Sequence, residues 1–293
     1  MCLCVSAGGC SAGDPRPDRE ATAGVHVSSA AASSAGPPPA VPAPSPGPVG
    51  DQRARVVLPP VGAPFDYQLG GPYTPLGGVR VVSRDRTAAP VAGLYNICYV
   101  NAFQAQPDAL EWWQAHHPEL LLRRGDHGLV ADRDWGEALL DTSTAARRAA
   151  LLAVVAVWVD GCAASGFQAV EPDNLDSFER AEGLLTEADN AAFAELVARR
   201  AHADGLAVGQ KNTAELLGQR TAVGFDFAVT EECGTYGECA DFAAAYDDRV
   251  YDVEYSDRGL AKACVGWMKT ISIVRRDRDV VPAGSDGYTY RTC

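Results

Sequence analysis

Residues 167–176 read Phe-Gln-Ala-Val-Glu-Pro-Asp-Asn-Leu-Asp, a short apolar segment that runs into three carboxylates. Side chains alternate along a strand, so Ala169 and Glu171 are predicted to share one face. Pro172 has no backbone N–H and marks the predicted strand end, and Asp173 continues the same face if the chain stays extended. Carboxylates this close repel one another, which should raise at least one pKa. The segment therefore predicts a strand that ends in groups suited to acid–base catalysis.

Segments of the same kind recur on both sides of this one. The predicted strands are 65–69, 79–83, 94–100, 137–140, 167–171, 206–209, 225–229 and 249–254. Helical patterns separate most of them: one predicted helix covers 144–164, and another begins with Thr186 as N-cap and Asp189 three residues on, and stops before Gly205. Eight strands with intervening helices indicate an α/β protein, a (β/α)8 TIM barrel. An open doubly wound sheet is the alternative, although no Gly-x-Gly-x-x-Gly turn follows a predicted strand.

Polar side chains lie at or just after all eight predicted strand ends. In chain order they are Asp66, Gln68, Asp85, Asn101, Asp141, Glu171, Asp173, Lys211, Asn212, Glu231, Glu232 and Glu254. Barrel active sites form at the carboxyl ends of the strands, so we expect these groups to converge on one mouth. The general polarity of loops would account for two or three of them, but not for one at every strand.

The composition limits the classes of partner. The chain has 293 residues, of which 47% are apolar, and this is enough to bury a full core. The net charge of −13 argues against a nucleic-acid partner, which needs clustered lysine and arginine. The charge indicates either an ordinary acidic surface or an acidic cleft for a cationic substrate. No run of about 18 apolar residues occurs, so no transmembrane helix is predicted.

Residues 1–57 differ in composition from the rest of the chain. Residues 23–50 are almost entirely Ala, Ser, Pro, Gly and Val, which cannot bury a core and predict a disordered linker. Small residues precede Cys10, and this resembles the end of a bacterial lipoprotein signal, in which the cysteine is acylated. We therefore predict a secreted or cell-surface lipoprotein with a lipid anchor at Cys10. An unusual disordered N-terminus is the alternative. Residues 58–293 are the predicted enzyme domain, and we expect a monomer.

The six later cysteines fit an oxidising compartment. They are Cys98, Cys162, Cys233, Cys239, Cys264 and Cys293, an even number that allows up to three disulfides. Cys233 and Cys239 are close enough to staple a loop, and Cys264 with Cys293 would fix the C-terminus. Cys98 is either bonded or a buried free thiol. No Cys-x-x-Cys or His-x-x-x-His pair occurs, so no metal site is predicted.

Several strings occur together in one order. They are Phe65-Asp-Tyr-Gln-Leu-Gly-Gly71, Asn96-Ile-Cys-Tyr99, Val170-Glu-Pro-Asp-Asn-Leu-Asp176, Val208-Gly-Gln-Lys-Asn212, Thr230-Glu-Glu-Cys233 with Glu238-Cys239, and Val253-Glu-Tyr255. As a set they resemble glycoside hydrolase family 114, which contains endo-α-1,4-polygalactosaminidases. The resemblance implies a (β/α)8 barrel that cleaves α-1,4 linkages in galactosamine-containing polysaccharides without a cofactor. It places the catalytic carboxylates at Asp173 and Glu231.

Glycoside hydrolysis needs one carboxylate at the anomeric carbon and another carboxyl group that protonates the leaving oxygen. We predict Asp173 as nucleophile and Glu231 as general acid/base in a retaining mechanism. Retention requires carboxyl groups about 5–5.5 Å apart, whereas about 6.5–9.5 Å would favour inversion. Glu232 would point the opposite way in a strand, and periodicity alone does not choose between it and Glu231. The resemblance favours Glu231.

The other polar groups are predicted to bind the substrate. Unacetylated galactosamine carries an ammonium, which carboxylates would pair with, and tyrosines would stack on sugar faces or hold hydroxyls. The predicted substrate-binding residues are Asp66, Tyr67, Gln68, Asp85, Tyr99, Asn101, Asp141, Glu171, Lys211, Asn212, Glu254 and Tyr255. For Glu171, a structural bond to Lys211 is an equal alternative. A catalytically inactive carbohydrate-binding protein on the same scaffold, or a purely structural surface lipoprotein, are the other functions to weigh.

Overall fold

The computed structural model of the protein describes residues 56–125 and 127–293. Residues 1–55, which contain Cys10 and almost all of the predicted signal-like segment and linker, lie outside the described residues. The lipid anchor and the tether therefore stay predictions.

Eleven strands and seven helices make up the described fold. The strands are β1 Phe65–Gln68, β2 Val81–Asp85, β3 Tyr95–Asn101, β4 Gln104–Ala105, β5 Ala138–Leu139, β6 Ala169–Asp173, β7 Ala207–Lys211, β8 Phe227–Glu231, β9 Val250–Glu254, β10 Ser272–Arg276 and β11 Tyr290–Thr292. The helices are α1 Leu110–His116, α2 Ala145–Ser165, α3 Glu187–Ala203, α4 Arg220–Val223, α5 Cys233–Tyr236, α6 Cys239–Tyr246 and α7 Asp257–Trp267. Short 3-10 helices cover Pro118–Leu120, Ser177–Arg180 and Ala214–Gln219.

Nine strands form one curled sheet. Its order is β1-β2-β3-β6-β7-β8-β9-β10-β11, and all neighbours are parallel except β10 and β11. The first and eighth parallel strands approach each other, because Arg276 Nη1 on β10 lies 3.5 Å from Asp66 Oδ1 on β1. The strand pairings of the described residues include no ladder between β1 and β10. The result is a curled parallel sheet with helices. The parallel sheet and helices of the predicted barrel are therefore present, and closure of the barrel stays a prediction.

The sheet has two buried faces that the alternation of side chains separates. One, which we call the inner face, carries an apolar cluster drawn from alternate strand residues. Its strand members are Phe65, Tyr67, Val81, Ile97, Ala169, Ala207, Phe227, Val229, Tyr251, Val253 and Val274. The other face packs against the helices through residues such as Val170 and Val208. Continued alternation places Asp173, Lys211 and Glu231 on the inner face at the carboxyl ends of their strands.

The two predicted helices form as the sequence indicated. Helix α2 begins after Thr144, whose side chain accepts a hydrogen bond from the Arg147 amide. Helix α3 begins with the full capping box of Thr186 and Asp189. By length and composition α2 is apolar enough to cross a membrane, contrary to the expectation that no such segment occurs. Leu151 on α2, however, is buried in the core between helices and sheet, as a barrel helix requires.

The structure corrects the predicted strands in several places. The predicted strand 137–140 does not enter the main sheet, because its residues form β5, which pairs antiparallel with β4 in a separate two-stranded sheet. The eighth parallel strand is instead β10, which the sequence pattern missed. In the fully described stretch 65–101, no helix separates β1 from β2 or β2 from β3, so the strict alternation of strand and helix fails there. Strand β6 also runs through Pro172 to Asp173, two residues beyond its predicted end.

All six described cysteines are paired. Cys98 on β3 bonds Cys162 on α2, so the free-thiol alternative is wrong. The other disulfides join Cys233 to Cys239 and Cys264 to Cys293. Three disulfides indicate folding in an oxidising, extracytoplasmic compartment.

Candidate active site

A cleft of about 590 Å³ opens at the carboxyl ends of the parallel strands. The predicted site residues that line it are Tyr67, Asp85, Tyr99, Asp173, Lys211, Asn212, Glu231 and Tyr255. Strands β1, β3, β6, β7 and β8 supply five of these directly from the inner face. The geometry that parallel strands impose therefore gathers both predicted catalytic carboxylates in one cleft.

Lys211 lies at the centre of the charged groups. Its Nζ is 3.0 Å from Asp173 Oδ1, 3.2 Å from Glu231 Oε2 and 3.6 Å from Glu171 Oε1. Burial would lower the pKa of Lys211, but the charges of Asp173, Glu231 and Glu171 outweigh it and hold the pKa well above its ordinary value. Lys211 is thus a permanent cation that three carboxylates share.

Asp173 is held in its charged form. Its Oδ2 accepts a hydrogen bond from the Tyr99 hydroxyl at 2.7 Å, while Lys211 contacts Oδ1. Burial would raise the pKa of Asp173, but the Lys211 ammonium, the Tyr99 hydroxyl and the Asn174 amide outweigh burial and bring the pKa below its ordinary value. The side chain keeps 16% of its surface exposed, toward the cleft. An ionised, accessible carboxylate is suited to nucleophilic attack.

Glu171 is a buried residue that supports the site from below the cleft surface. Its Oε1 lies 3.6 Å from Lys211 Nζ, as the alternative prediction of a structural contact with Lys211 requires. Its Oε1 accepts from the Tyr67 hydroxyl at 2.8 Å and its Oε2 from Ser83 Oγ at 2.7 Å. The side chain is fully buried and does not line the cleft. Burial raises the pKa of Glu171 from 4.5 to about 7. The sequence predicts a pKa raised by repulsion between the clustered carboxylates, whereas burial is the larger cause and the charge of Asp173 adds to it.

Glu231 lies at the end of β8, where its carboxylate contacts Lys211, Asn212 and Tyr255. The Tyr255 hydroxyl donates to its Oε1, and Asn212 Nδ2 donates to its Oε2 at 3.0 Å. Asn212 also accepts the Glu231 amide through Oδ1 at 2.7 Å. Burial, and then the charge of Glu231, raise the pKa of Tyr255 well above its ordinary value, so its hydroxyl stays a donor. Glu232, the rival candidate, lines the rim and adopts a left-handed backbone with φ of 63°.

Half of the predicted substrate-binding residues do not line the cleft. Asp66 and Gln68 are fully buried on β1, where Gln68 Nε2 donates to Asp66 Oδ2 at 2.7 Å and Arg84 Nε donates to Gln68 Oε1 at 2.9 Å. Glu254 is also fully buried, and accepts from the amide of Gly234 at 2.7 Å. All three alternate with inner-face residues of their strands, so their side chains cannot reach the mouth.

Three further residues that were predicted to bind the substrate are bonded to groups of the protein itself. Asp141 follows β5 rather than a main-sheet strand, and its Oδ2 pairs with Arg147 at 3.0 Å in a separate depression. Asn101 is buried and donates to Glu137 Oε2 at 2.8 Å, so it supports a cleft residue without lining the cleft. Asp85 does line the cleft, but its Oδ1 accepts from the Thr87 amide and hydroxyl in a turn.

The structure adds cleft residues that the sequence pattern did not indicate. They are Asp132, Asp134, Trp135, Glu137, Arg180, Tyr236, Arg278 and Asp279. The cleft also includes Asp176 and Glu232, which the sequence pattern indicates. Arg180 is already paired, through Asp132 Oδ2 and Asp176 Oδ1, both at 2.8 Å. Burial raises the pKa of Glu137, with Asp173 and Asp132 adding to the effect. The acid-rich string Asp132-Arg-Asp-Trp-Gly-Glu137 was the available signal for this wall.

A family model described as glycoside-hydrolase family GH114 matches residues 48–293. The chain belongs to GH114. It is therefore a glycoside hydrolase, as the strings around Asp173 and Glu231 indicated. Comparison with curated protein sequences finds no match.

Solved structures share this GH114 fold. Aspergillus fumigatus Ega3, crystallised in complex with galactosamine, has a TM-score of 0.65 and 21% identity, and the alignment covers 83% of this chain and all of Ega3. The glycoside hydrolase domain of PelA from Pseudomonas aeruginosa has a TM-score of 0.56 and 16% identity, with 77% and 98% covered. Sequence identities this low show only that these proteins share a fold with this chain, namely the curled parallel sheet described above.

Proposed function

We propose that this GH114 protein hydrolyses α-1,4 linkages in a galactosamine-containing polysaccharide by a retaining mechanism, with Asp173 as nucleophile and Glu231 as general acid/base. One observation carries the proposal: both carboxylates line one cleft and contact the same ammonium, Lys211 Nζ. We further propose that the curled sheet closes as a (β/α)8 barrel around this site, and that the protein acts extracellularly as a monomer without a cofactor.

The spacing of the carboxylates fits a retaining mechanism. Because Lys211 Nζ lies 3.0 Å from Asp173 Oδ1 and 3.2 Å from Glu231 Oε2, those two oxygens are no further apart than the sum of these distances. This limit includes the separation of about 5–5.5 Å that the carboxyl groups of retaining enzymes have. The stereochemistry of the products distinguishes retention from inversion.

The reaction then has two steps. In the first, an Asp173 oxygen forms a bond to the anomeric carbon, the glycosidic C–O bond breaks, and Glu231 gives its proton to the leaving oxygen. In the second, Glu231 takes a proton from water, whose oxygen attacks the anomeric carbon and releases Asp173. Lys211 stabilises the carboxylate charge that returns at each turnover.

The acidic wall supports a cationic substrate. Asp134 and Glu137 line the cleft together with Asp132 and Asp176, which pair with Arg180, and an unacetylated galactosamine unit would bring an ammonium to this acidic group. Ega3, with the same fold, is the protein crystallised with galactosamine. These acids replace the buried Asp66, Asp141 and Glu254 as the groups that we expect to pair with the sugar.

The test is product analysis on partially deacetylated galactosaminogalactan. We expect shorter oligosaccharides from the wild type, and none above background from Asp173→Asn or Glu231→Gln proteins that stay folded. NMR of the first products should show the α-anomer, whereas the β-anomer would exclude the nucleophile role of Asp173. Re-acetylation of the polymer should lower the rate. An equal or higher rate on the acetylated polymer would exclude ammonium pairing, and substrate binding without turnover would favour an inactive carbohydrate-binding protein.

A further inference from the structure

Two buried carboxylates lie on the opposite face of the sheet from the cleft. Asp252 and Glu254 are two residues apart on β9, both are fully buried, and both alternate with the inner-face residue Val253. Within residues 56–125 and 127–293, neither carboxylate forms an ion pair with a lysine, arginine or histidine. Two buried negative charges without a cation would be strongly unfavourable, so one of the two is expected to be neutral.

Glu254 occupies a socket that is built for a carboxylate. Its Oε1 accepts from the amides of Gly234 at 2.7 Å and Thr235 at 3.2 Å, and its Oε2 accepts from Thr235 Oγ1 at 2.9 Å. Two glycines make the room: a Cβ at Gly259 would lie 1.9 Å from Oε2, and one at Gly234 would lie 2.7 Å from Oε1. All three of these groups donate a hydrogen bond to the Glu254 carboxyl group.

Asp252 has a different environment. Its Oδ1 accepts from Thr230 Oγ1 at 2.9 Å and from the Cys233 amide at 3.1 Å, whereas its buried Oδ2 has no hydrogen-bond partner among the described residues. Thr230 and Cys233 flank Glu231 and Glu232 in the chain. Asp252 Oδ1 therefore holds both ends of the turn that carries the catalytic acid.

In the described part of the chain, no lysine, arginine or histidine lies within ion-pairing distance of Asp252. Arg275 on β10 is the register partner of Glu254 and shares its face of the sheet, but its Nη1 bonds Asp257 at 2.7 Å and its buried Nε has no hydrogen-bond partner among the described residues. Lys262 on α7 donates to the Thr235 carbonyl at 3.1 Å. Burial, and then the charge of Glu254, raise the pKa of Asp252 well above its ordinary value. The turn itself contributes Glu232, another acid.

We propose that Asp252 is a positioning residue that is neutral in the folded protein, carries its proton on Oδ2 toward Glu254, and fixes the turn from Thr230 to Cys233 that presents Glu231 to the cleft. The role toward Glu231 rests on the proposed function, whereas the protonation of Asp252 does not. If Asp252 is neutral, asparagine at this position should form the same contacts. Its amide oxygen would replace Oδ1, and its NH2 group would replace the protonated Oδ2.

The first test measures the proton directly. Infrared spectra of the full chain near neutral pH, wild type minus Asp252→Asn, should contain the carbonyl band of a protonated carboxyl group. Its absence would overturn the proposal. The sign of the pH dependence follows from the raised pKa: the folded state holds the proton more tightly than the unfolded state, so the wild type loses stability as pH rises. The melting temperature of the wild type should therefore fall relative to Asp252→Asn as the pH rises above about 4, the pKa of an aspartate in the unfolded chain. A difference that does not change with pH would contradict the proposal.

The second test measures the positioning. Asp252→Asn should retain activity on the deacetylated polymer that Asp252→Ala loses, and the loss should appear in kcat rather than KM. Thr230→Val should also lower kcat at least tenfold. Thr142→Val is the matched control, because Thr142 Oγ1 makes an equally buried bond to Asn190 Oδ1 at 2.7 Å far from the turn. Equal effects of the two threonine variants on kcat would overturn the positioning role. If the wild type hydrolyses nothing, the proposed function fails, while the infrared result still decides the protonation.

Discussion

Asn212 and Glu231 hold each other through two reciprocal hydrogen bonds. Asn212 Nδ2 donates to Glu231 Oε2 at 3.0 Å, and Asn212 Oδ1 accepts the Glu231 amide at 2.7 Å. One side chain thus fixes both the main chain and the carboxylate of the proposed acid/base. Asn212, predicted to bind substrate, therefore has an orienting role at the cleft wall as well.

Replacement of Asn212 by alanine should lower kcat about 100-fold, because small displacements of a catalytic group are costly. The KM should change little. Asn96→Ala is the control, since Asn96 is buried and its amide donates to the carbonyls of Val91 and Leu94 at the start of β3, away from Glu231 in the chain. Steady-state kinetics and thermal melts of both variants check the prediction. A loss of stability without a selective loss of kcat in Asn212→Ala would contradict it.

Lys211→Met should destabilise the protein by about 3–5 kcal/mol, because it leaves buried carboxylates without their cation. Glu171, which is fully buried, and Asp173 would bear most of this cost. Lys269→Met is the control: this lysine is exposed, and its loss should change the free energy of unfolding by less than about 0.5 kcal/mol. Urea denaturation at neutral pH gives both values. Equal stability of the two variants would show that the central ammonium does not hold the site together.

Glu171 should make stability depend on pH. Its pKa rises from 4.5 to about 7 on folding, so the folded state binds the proton more tightly than the unfolded state. The wild type should therefore lose stability relative to Glu171→Gln as pH rises from 4.5 to about 7. Denaturation of both proteins across this range measures the difference, and parallel curves would contradict the assignment.

Removal of the Cys98–Cys162 disulfide should mainly lower stability, whereas removal of the Cys233–Cys239 disulfide should mainly lower activity. Cys98 and Cys162 are 64 residues apart, so their double alanine variant should lose about 4 kcal/mol of stability. Cys233 and Cys239 are 6 apart, and their loss should cost about 2 kcal/mol. The second variant should nevertheless lose more activity, because its disulfide lies in the turn after Glu231. Melting curves and kinetics of the two variants, compared under the same conditions, decide the point.

Side-chain alternation along the strands explains which of the predicted site residues line the cleft. Val253 faces the inner cluster, so Tyr255 follows it toward the cleft and Glu254 must face the helices. The sequence contains this information, because alternation along a strand assigns Glu254 and Tyr255 to opposite faces, and the prediction included both. The same rule separates Tyr67 on the inner face from Asp66 and Gln68 on β1.

Strand pairing is the part that the sequence could not supply. Strand β10 has only a short apolar core before Arg275 and Arg276, so its pattern is weak. Arg276 is buried because it donates to the carbonyls of Thr289 and Val281 and lies 3.5 Å from Asp66 Oδ1. Residues 137–140 are more apolar but pair with β4. Partners in parallel sheets are distant in sequence, and local patterns do not encode them.

The segment between β3 and β6 adds no strand to the main sheet, yet it supplies Asp132, Trp135 and Glu137 to the cleft. The proposed catalytic carboxylates therefore lie on the main sheet, whereas these acidic and aromatic residues of the cleft lie on a segment beside it. In evolutionary terms, such a segment can diversify while the reaction stays intact. Exchange of residues 104–140 between GH114 proteins should accordingly transfer polysaccharide preference as a unit.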